Sequence, residues 1–144
     1  MDAQTIIQAC QNECAANSGD CNAFVKAVES DLSLSDFSPG DDADAIVIIL
    51  ETSPQWTKLA DGVAAKAAAD TGVFVIGGMK SADFNPVRVH GHVVVVVSGP
   101  LAQGQYPTAY WGSLDGPPSG PVGATVNFSF RSGDRDRVEY FQRN

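Results

Sequence analysis

Basic residues are scarce in this chain: nine Lys and Arg stand against seventeen Asp and Glu, a net charge of −8 over 144 residues. A surface of that sign repels phosphate backbones and anionic lipid, which argues against nucleic acid and membranes as partners; it is compatible with docking a basic protein. Long apolar runs are missing as well. The longest, Ala45–Leu50 and Val93–Val97, fall far short of the ~20 residues that a membrane-spanning helix needs. The opening Met1-Asp2-Ala3-Gln4-Thr5 has neither the basic nor the apolar region of a secretory signal. The chain is therefore expected to be made in the cytoplasm and to act elsewhere only by a route without a cleaved signal. Cysteine is sparse and odd in number, so with three of them at least one is unpaired within the chain. No repeat and no long linker divides the sequence, and residues 1–144 are expected to form one domain with a core that needs no staples.

What is present falls into two halves. Helical periodicity covers Thr5–Ala16 and Cys21–Leu32, the second with Asp20 as N-cap and Phe24, Val25, Val28 and Leu32 on one face. Asp36-Phe37-Ser38-Pro39-Gly40 reads as a turn. Ala45–Leu50 has strand-like β-branched content, yet Ala43, Ile46, Val47 and Leu50 fit one helical face behind Asp41 or Asp42, and a short helix is expected. Gln55–Asp61 carries Trp56 and leads into an alanine-rich helix over Gly62–Ala69. Strand character then takes over in Val73–Met79, His90–Ser98, Thr108–Leu114, Ala124–Phe130 and Arg137–Gln142. Helices first and an antiparallel meander second make the class α+β, with N-terminal helices packed on an antiparallel sheet.

Two residues carry the chemistry. Cys21 opens a helix, where the macrodipole and unsatisfied backbone N–H groups favour the thiolate and are expected to lower its pKa. His92 stands at the mouth of the strand Val93–Val97, held by its neighbours near the sheet's edge, as suits a general base. Side-chain alternation puts His90, His92, Val94 and Val96 on one face and Val93, Val95 and Val97 on the other. Gly91 leaves room for a thiol or a substrate backbone to approach. A strand-capping histidine or a core cysteine is ordinary by itself; the pairing of the two points to nucleophilic catalysis by a cysteine hydrolase. Cys10 and Cys14, four apart on one helix, would form only a strained disulfide and are expected to be small core residues.

A third group should orient the imidazole. The strand Thr108–Ser113 offers no Asp, Asn or His, which leaves a backbone carbonyl near Trp111, or Asp115 just beyond its end. Trp111 itself is expected in the core. His90-x-His92 lacks a third metal ligand at useful spacing, so no metal or other cofactor is expected. Asp134-Arg135-Asp136-Arg137 reads as a solvated turn whose ion pairs contribute little. Lys80 and Arg88, flanking the loop before His92, are the candidates for positive charge near an anionic substrate.

The segments Cys21-Asn22-Ala23-Phe24-Val25, Trp56-Thr57-Lys58-Leu59-Ala60, Gly91-His92-Val93, Ser98-Gly99-Pro100-Leu101, Tyr106-Pro107, Gly112-Ser113 and Asp134-Arg135-Asp136-Arg137 occur in an order that spans most of the chain. Together they resemble the first family of type VI secretion amidase effectors, papain-like peptidoglycan amidases of NlpC type. The resemblance implies a nucleophilic Cys21, a base at His92, and cleavage of the bond between D-glutamate and meso-diaminopimelate in peptidoglycan stem peptides. It implies delivery by the secretion apparatus into the periplasm of rival bacteria and a cognate immunity protein that blocks the cleft. Two departures stand out: the segment before Cys21 is short, and Ala109 and Trp111 replace cysteines, so the third catalytic position rests on backbone. A housekeeping cysteine endopeptidase or a deamidase on the same scaffold is one competing reading, and a thiol-switch or binding protein is the other.

Overall fold

A computed structural model describes residues 1–144. Its elements run α1 (Ala3–Glu13), α2 (Cys21–Asp31), α3 (Ala43–Thr52), β1 (Trp56–Leu59), α4 (Gly62–Asp70), β2 (Val75–Met79), β3 (His92–Val96), β4 (Thr108–Tyr110), β5 (Ala124–Thr125) and β6 (Glu139–Arg143). Single 3-10 turns occupy Ser81–Asp83, Val126–Phe128 and Arg135–Arg137. Every α-helix begins behind an aspartate whose carboxylate accepts first-turn N–H groups: Asp2, Asp20, Asp42 and Asp61. Such caps stabilise by about 1 kcal/mol each. The ambiguous segment is helical, as expected, because Ala43, Ile46, Val47 and Leu50 all bury one face. No helix is long and apolar enough to cross a membrane.

The fold is α+β. All neighbouring strands of the six-stranded sheet are antiparallel, in the order β1-β6-β2-β3-β4-β5. The expected meander holds for β2 through β5, but β6 enters between β1 and β2, with Val75 opposite both Gln142 and Val96. Strand β3 is sealed on both faces. Val93, Val95 and Val97 meet Phe24, Val25, Val28, Ile46, Val47 and Leu50 of α2 and α3. Val94 and Val96 meet Phe84, Trp111, Val126, Phe130 and Tyr140, with Ala65 and Ala69 of α4 alongside. Each buried valine stabilises by roughly 1.5–3 kcal/mol. Cys10 sits in the first of these cores and all three cysteines are free thiols.

Three segments depart from expectation. Ala124–Phe130 pairs only over Ala124–Thr125; the Val126 N–H then turns to Pro107 O at 3.0 Å and the chain closes into a 3-10 turn. Strand β1, unassigned from sequence, is a polar edge that exposes Thr57 and Lys58 and exists because Trp56–Leu59 lies against Tyr140–Arg143. Asp134-Arg135-Asp136-Arg137 is no mere solvated turn. Asp134 is only 1% exposed and accepts from Asn85 N–H at 2.8 Å and Arg137 Nη2 at 2.6 Å. Asp136 accepts from the Tyr106 hydroxyl at 2.5 Å, and the Arg135 guanidinium lies 4.9 Å from the Tyr106 ring.

Beyond β4 the chain packs against the turn that precedes α2. Ser113 N–H donates to Ser18 O at 2.9 Å, and a β-carbon on Gly112 would run into the carbonyl oxygens of Asn17 and Asp20. Only glycine allows this approach, which seats the end of β4 against the turn before α2.

Candidate active site

Cys21 is the first residue of α2 and is 6% exposed, its Sγ 4.0 Å from Gly91 O. His92 is the first residue of β3 and is 7% exposed. Both line one cleft together with Asn22, Asp44, Arg88, Ser113 and Asp115. A second hollow continues past His92, lined by Arg88, Trp111, Ser113, Asp115, Ser129 and Arg131. The fold thus brings the two residues singled out from sequence into one opening, although they arrive from opposite layers: Cys21 belongs to the helical core, while His92 shares the sheet face of Phe130.

Local contacts hold each in place. Asp20 accepts from Asn22 N–H at 3.0 Å and from Ala23 N–H at 3.3 Å, which uses two of the free N–H groups of the first turn of α2. The loop before His92 is tied to α3 by Asp44, whose carboxylate accepts from Ser81 N–H at 2.8 Å and Ser81 Oγ at 2.5 Å. The space beside Gly91 is filled by Asp44 and the Met79 carbonyl rather than by the thiol alone. His92 Nε2 meets Ser129 Oγ at 2.5 Å, and the Phe130 ring stands edge-on to the imidazole at 5.1 Å.

The electrostatics correct one expectation. The Cys21 thiol is not acidified: burial pushes its pKa up to about 11, with Asp20 adding to the rise. The backbone N–H groups of Val93, Asn22 and Cys21 pull the other way without prevailing. Burial, and secondarily the charge of Arg88, holds His92 down to about 4. At neutral pH the resting site therefore carries a neutral thiol and a neutral imidazole.

The other candidates are placed as follows. Trp111 is buried, and its backbone is taken up by Ser119: its N–H donates to Ser119 Oγ at 3.0 Å and its carbonyl accepts from Ser119 N–H at 3.1 Å. Asp115 lies on the cleft rim with its side chain 68% exposed, 3.8 Å from Arg88. Arg88 lines both hollows and rests over the Phe84 ring at 4.9 Å. Lys80 is paired with Glu51 at 3.0 Å and lines neither hollow. Sequence reading missed Ser129 and Arg131. Ser129 lies in a stretch read as strand, and no sequence feature ties it to a histidine thirty-seven positions earlier.

No protein-family model matches the chain. The peptidoglycan amidase Tse1 of Pseudomonas aeruginosa is 36% identical to it over 146 aligned positions, which cover 96% of this chain and 88% of Tse1. This chain belongs to the family of Tse1, the type VI secretion amidase effectors that its ordered segments resemble.

Proposed function

We propose that this chain is a cysteine peptidoglycan amidase, a D,L-endopeptidase of papain-like, NlpC type. It cuts the bond between D-glutamate and meso-diaminopimelate in stem peptides, as an antibacterial type VI secretion effector. The observation that carries the cysteine mechanism is the single cleft shared by Cys21 at a helix start and His92 at a strand start. Kinship with a peptidoglycan amidase carries the substrate class.

The reaction starts from the uncharged pair. His92 accepts the thiol proton as Sγ attacks the D-glutamyl carbonyl, so charge develops only when substrate is bound. Asp20 already engages the Asn22 and Ala23 N–H groups, so the N–H of Cys21 itself is the donor left for the oxyanion. The imidazolium then protonates the departing diaminopimelate amine, the C–N bond breaks, and a thioester remains on Cys21. His92 next takes a proton from water, whose oxygen attacks the thioester carbonyl and releases the carboxylate product and the thiol. Arg88 and Arg131, on the walls of the two hollows, supply the positive charge that meets the carboxylates of the stem peptide.

In the same reading the chain reaches the periplasm of rival bacteria through a contractile secretion apparatus, and a cognate immunity protein in the producer blocks the cleft. The thiol-switch alternative loses support because Cys10 and Cys21 are buried and burial raises both thiols. Digestion of diaminopimelate-type peptidoglycan with the native protein and with Cys21→Ala, read by chromatography and mass spectrometry, tests the proposal. New fragments ending in D-glutamate are expected from the native protein alone. Equal hydrolysis by Cys21→Ala would remove the nucleophile, and fragments ending elsewhere would change the bond.

A further inference from the structure

The imidazole of His92 has two nitrogens, and the structure commits one of them. Nε2 lies 2.5 Å from Ser129 Oγ, while Nδ1 makes no hydrogen bond to the protein. Ser129 is held by the 3-10 turn before it, its N–H donating to Val126 O at 2.9 Å. That turn is anchored in turn by the Val126 N–H bond to Pro107 O at 3.0 Å and by Val126 itself, which is fully buried. The next residue, Phe130, packs edge-on against the ring and is 2% exposed. Serine and phenylalanine therefore hold the imidazole from adjacent positions of a single segment.

We propose that Ser129 is the positioning residue of the catalytic histidine: its hydroxyl accepts a hydrogen bond from Nε2–H and so leaves the Nδ1 lone pair to take the Cys21 proton. The inference rests on the cysteine-amidase reading above. A neutral imidazole carries one proton, and its site decides which nitrogen is the base. With the proton on Nε2, the ring keeps the Ser129 bond both before and after Nδ1 is protonated, so nothing rearranges during the transfer. A hydroxyl suits this better than a carboxylate. His92 makes no salt bridge to any acid, so nothing drives it to the imidazolium before substrate arrives. Neither the Trp111 backbone, bonded to Ser119, nor Asp115, paired with Arg88, holds the ring.

Ring-nitrogen NMR of the ¹⁵N-labelled protein tests the assignment directly, because the chain has only two histidines and His90→Gln identifies the His92 signals. The native ring is expected as the Nε2–H tautomer. In Ser129→Ala the two tautomers should mix, and kcat on a soluble muropeptide should fall about tenfold with KM nearly constant, the size of one lost hydrogen bond at the reacting group. Ser129→Thr, which keeps the hydroxyl, should restore both readouts. An Nε2–H tautomer that persists in Ser129→Ala with unchanged kcat would overturn the proposal, as would a native ring protonated at Nδ1. The tautomer is read without turnover, so a failure of the amidase reading, seen as full activity in Cys21→Ala, is distinguishable from a failure of the Ser129 assignment.

Discussion

Asp44 binds Ser81 twice, through the backbone N–H at 2.8 Å and the hydroxyl at 2.5 Å. One carboxylate on α3 thereby fixes the start of the loop that delivers Arg88, Gly91 and His92 to the cleft. Asp44→Ala removes both acceptors from partly buried donors and is expected to destabilise the fold by about 1–3 kcal/mol. Activity should fall further than stability explains, because the loop also sets the histidine. Thermal unfolding and kcat/KM measured on the same preparation check this; an unchanged kcat/KM would show that β3 alone holds His92.

The neutral resting thiol has a kinetic signature. With its pKa at about 11, Cys21 holds roughly 100-fold less thiolate at neutral pH than an unperturbed cysteine. Iodoacetamide should therefore alkylate Cys21 slowly at pH 7, and faster only as pH climbs toward 11. Mass-spectrometric rates across that range are the check. Rapid alkylation at pH 7 would mean a preformed thiolate–imidazolium pair.

His92 sets the acid side of both activity and stability. As the base it must be uncharged, so kcat/KM should hold well below the usual histidine range and drop only as pH falls through about 4. The unfolded chain binds a proton at this ring below about 6.5 while the folded chain does not until about 4. Stability therefore declines as pH falls through that window. Denaturant midpoints between pH 4 and 7, compared with those of His92→Gln, should show the difference shrinking when the ring is removed.

Glu29 gives the opposite sign. Its Oε1 accepts from Phe37 N–H at 3.1 Å and its Oε2 is buried without a partner. Burial, with the neighbouring charge of Asp36 adding to it, raises the carboxyl to about 7, and the Phe37 N–H only partly offsets this. A raised carboxyl favours the fold in its protonated form: the contribution is complete below about 4.5 and is lost as pH rises through 7. Glu29→Gln keeps an acceptor for Phe37 without a charge, and should flatten the pH dependence of the urea midpoint between pH 5 and 8. A slope equal to that of the native protein would place the titration elsewhere.

Much of this protein is local and was readable along the chain. Asp20 before Cys21 caps a helix through its own neighbours, and the apolar faces of α2 and α3 follow from a 3.6-residue period. The valines of β3 alternate between two cores because a strand alternates its side chains, whatever lies around it. That is why Cys21 and His92 could be named from sequence as a pair. What remained hidden depends on partners far along the chain. The polar segment Trp56–Leu59 becomes a strand only because the C-terminal strand lies beside it, and Asp134 is buried only because Asn85 and Arg137 close around it. Ser129 meets the histidine through a turn that breaks a stretch with strand-like composition. The protonation of the site was decided at the same level. A helix start alone would acidify Cys21, yet desolvation, which only the assembled core can impose, outweighs it and leaves the thiol neutral.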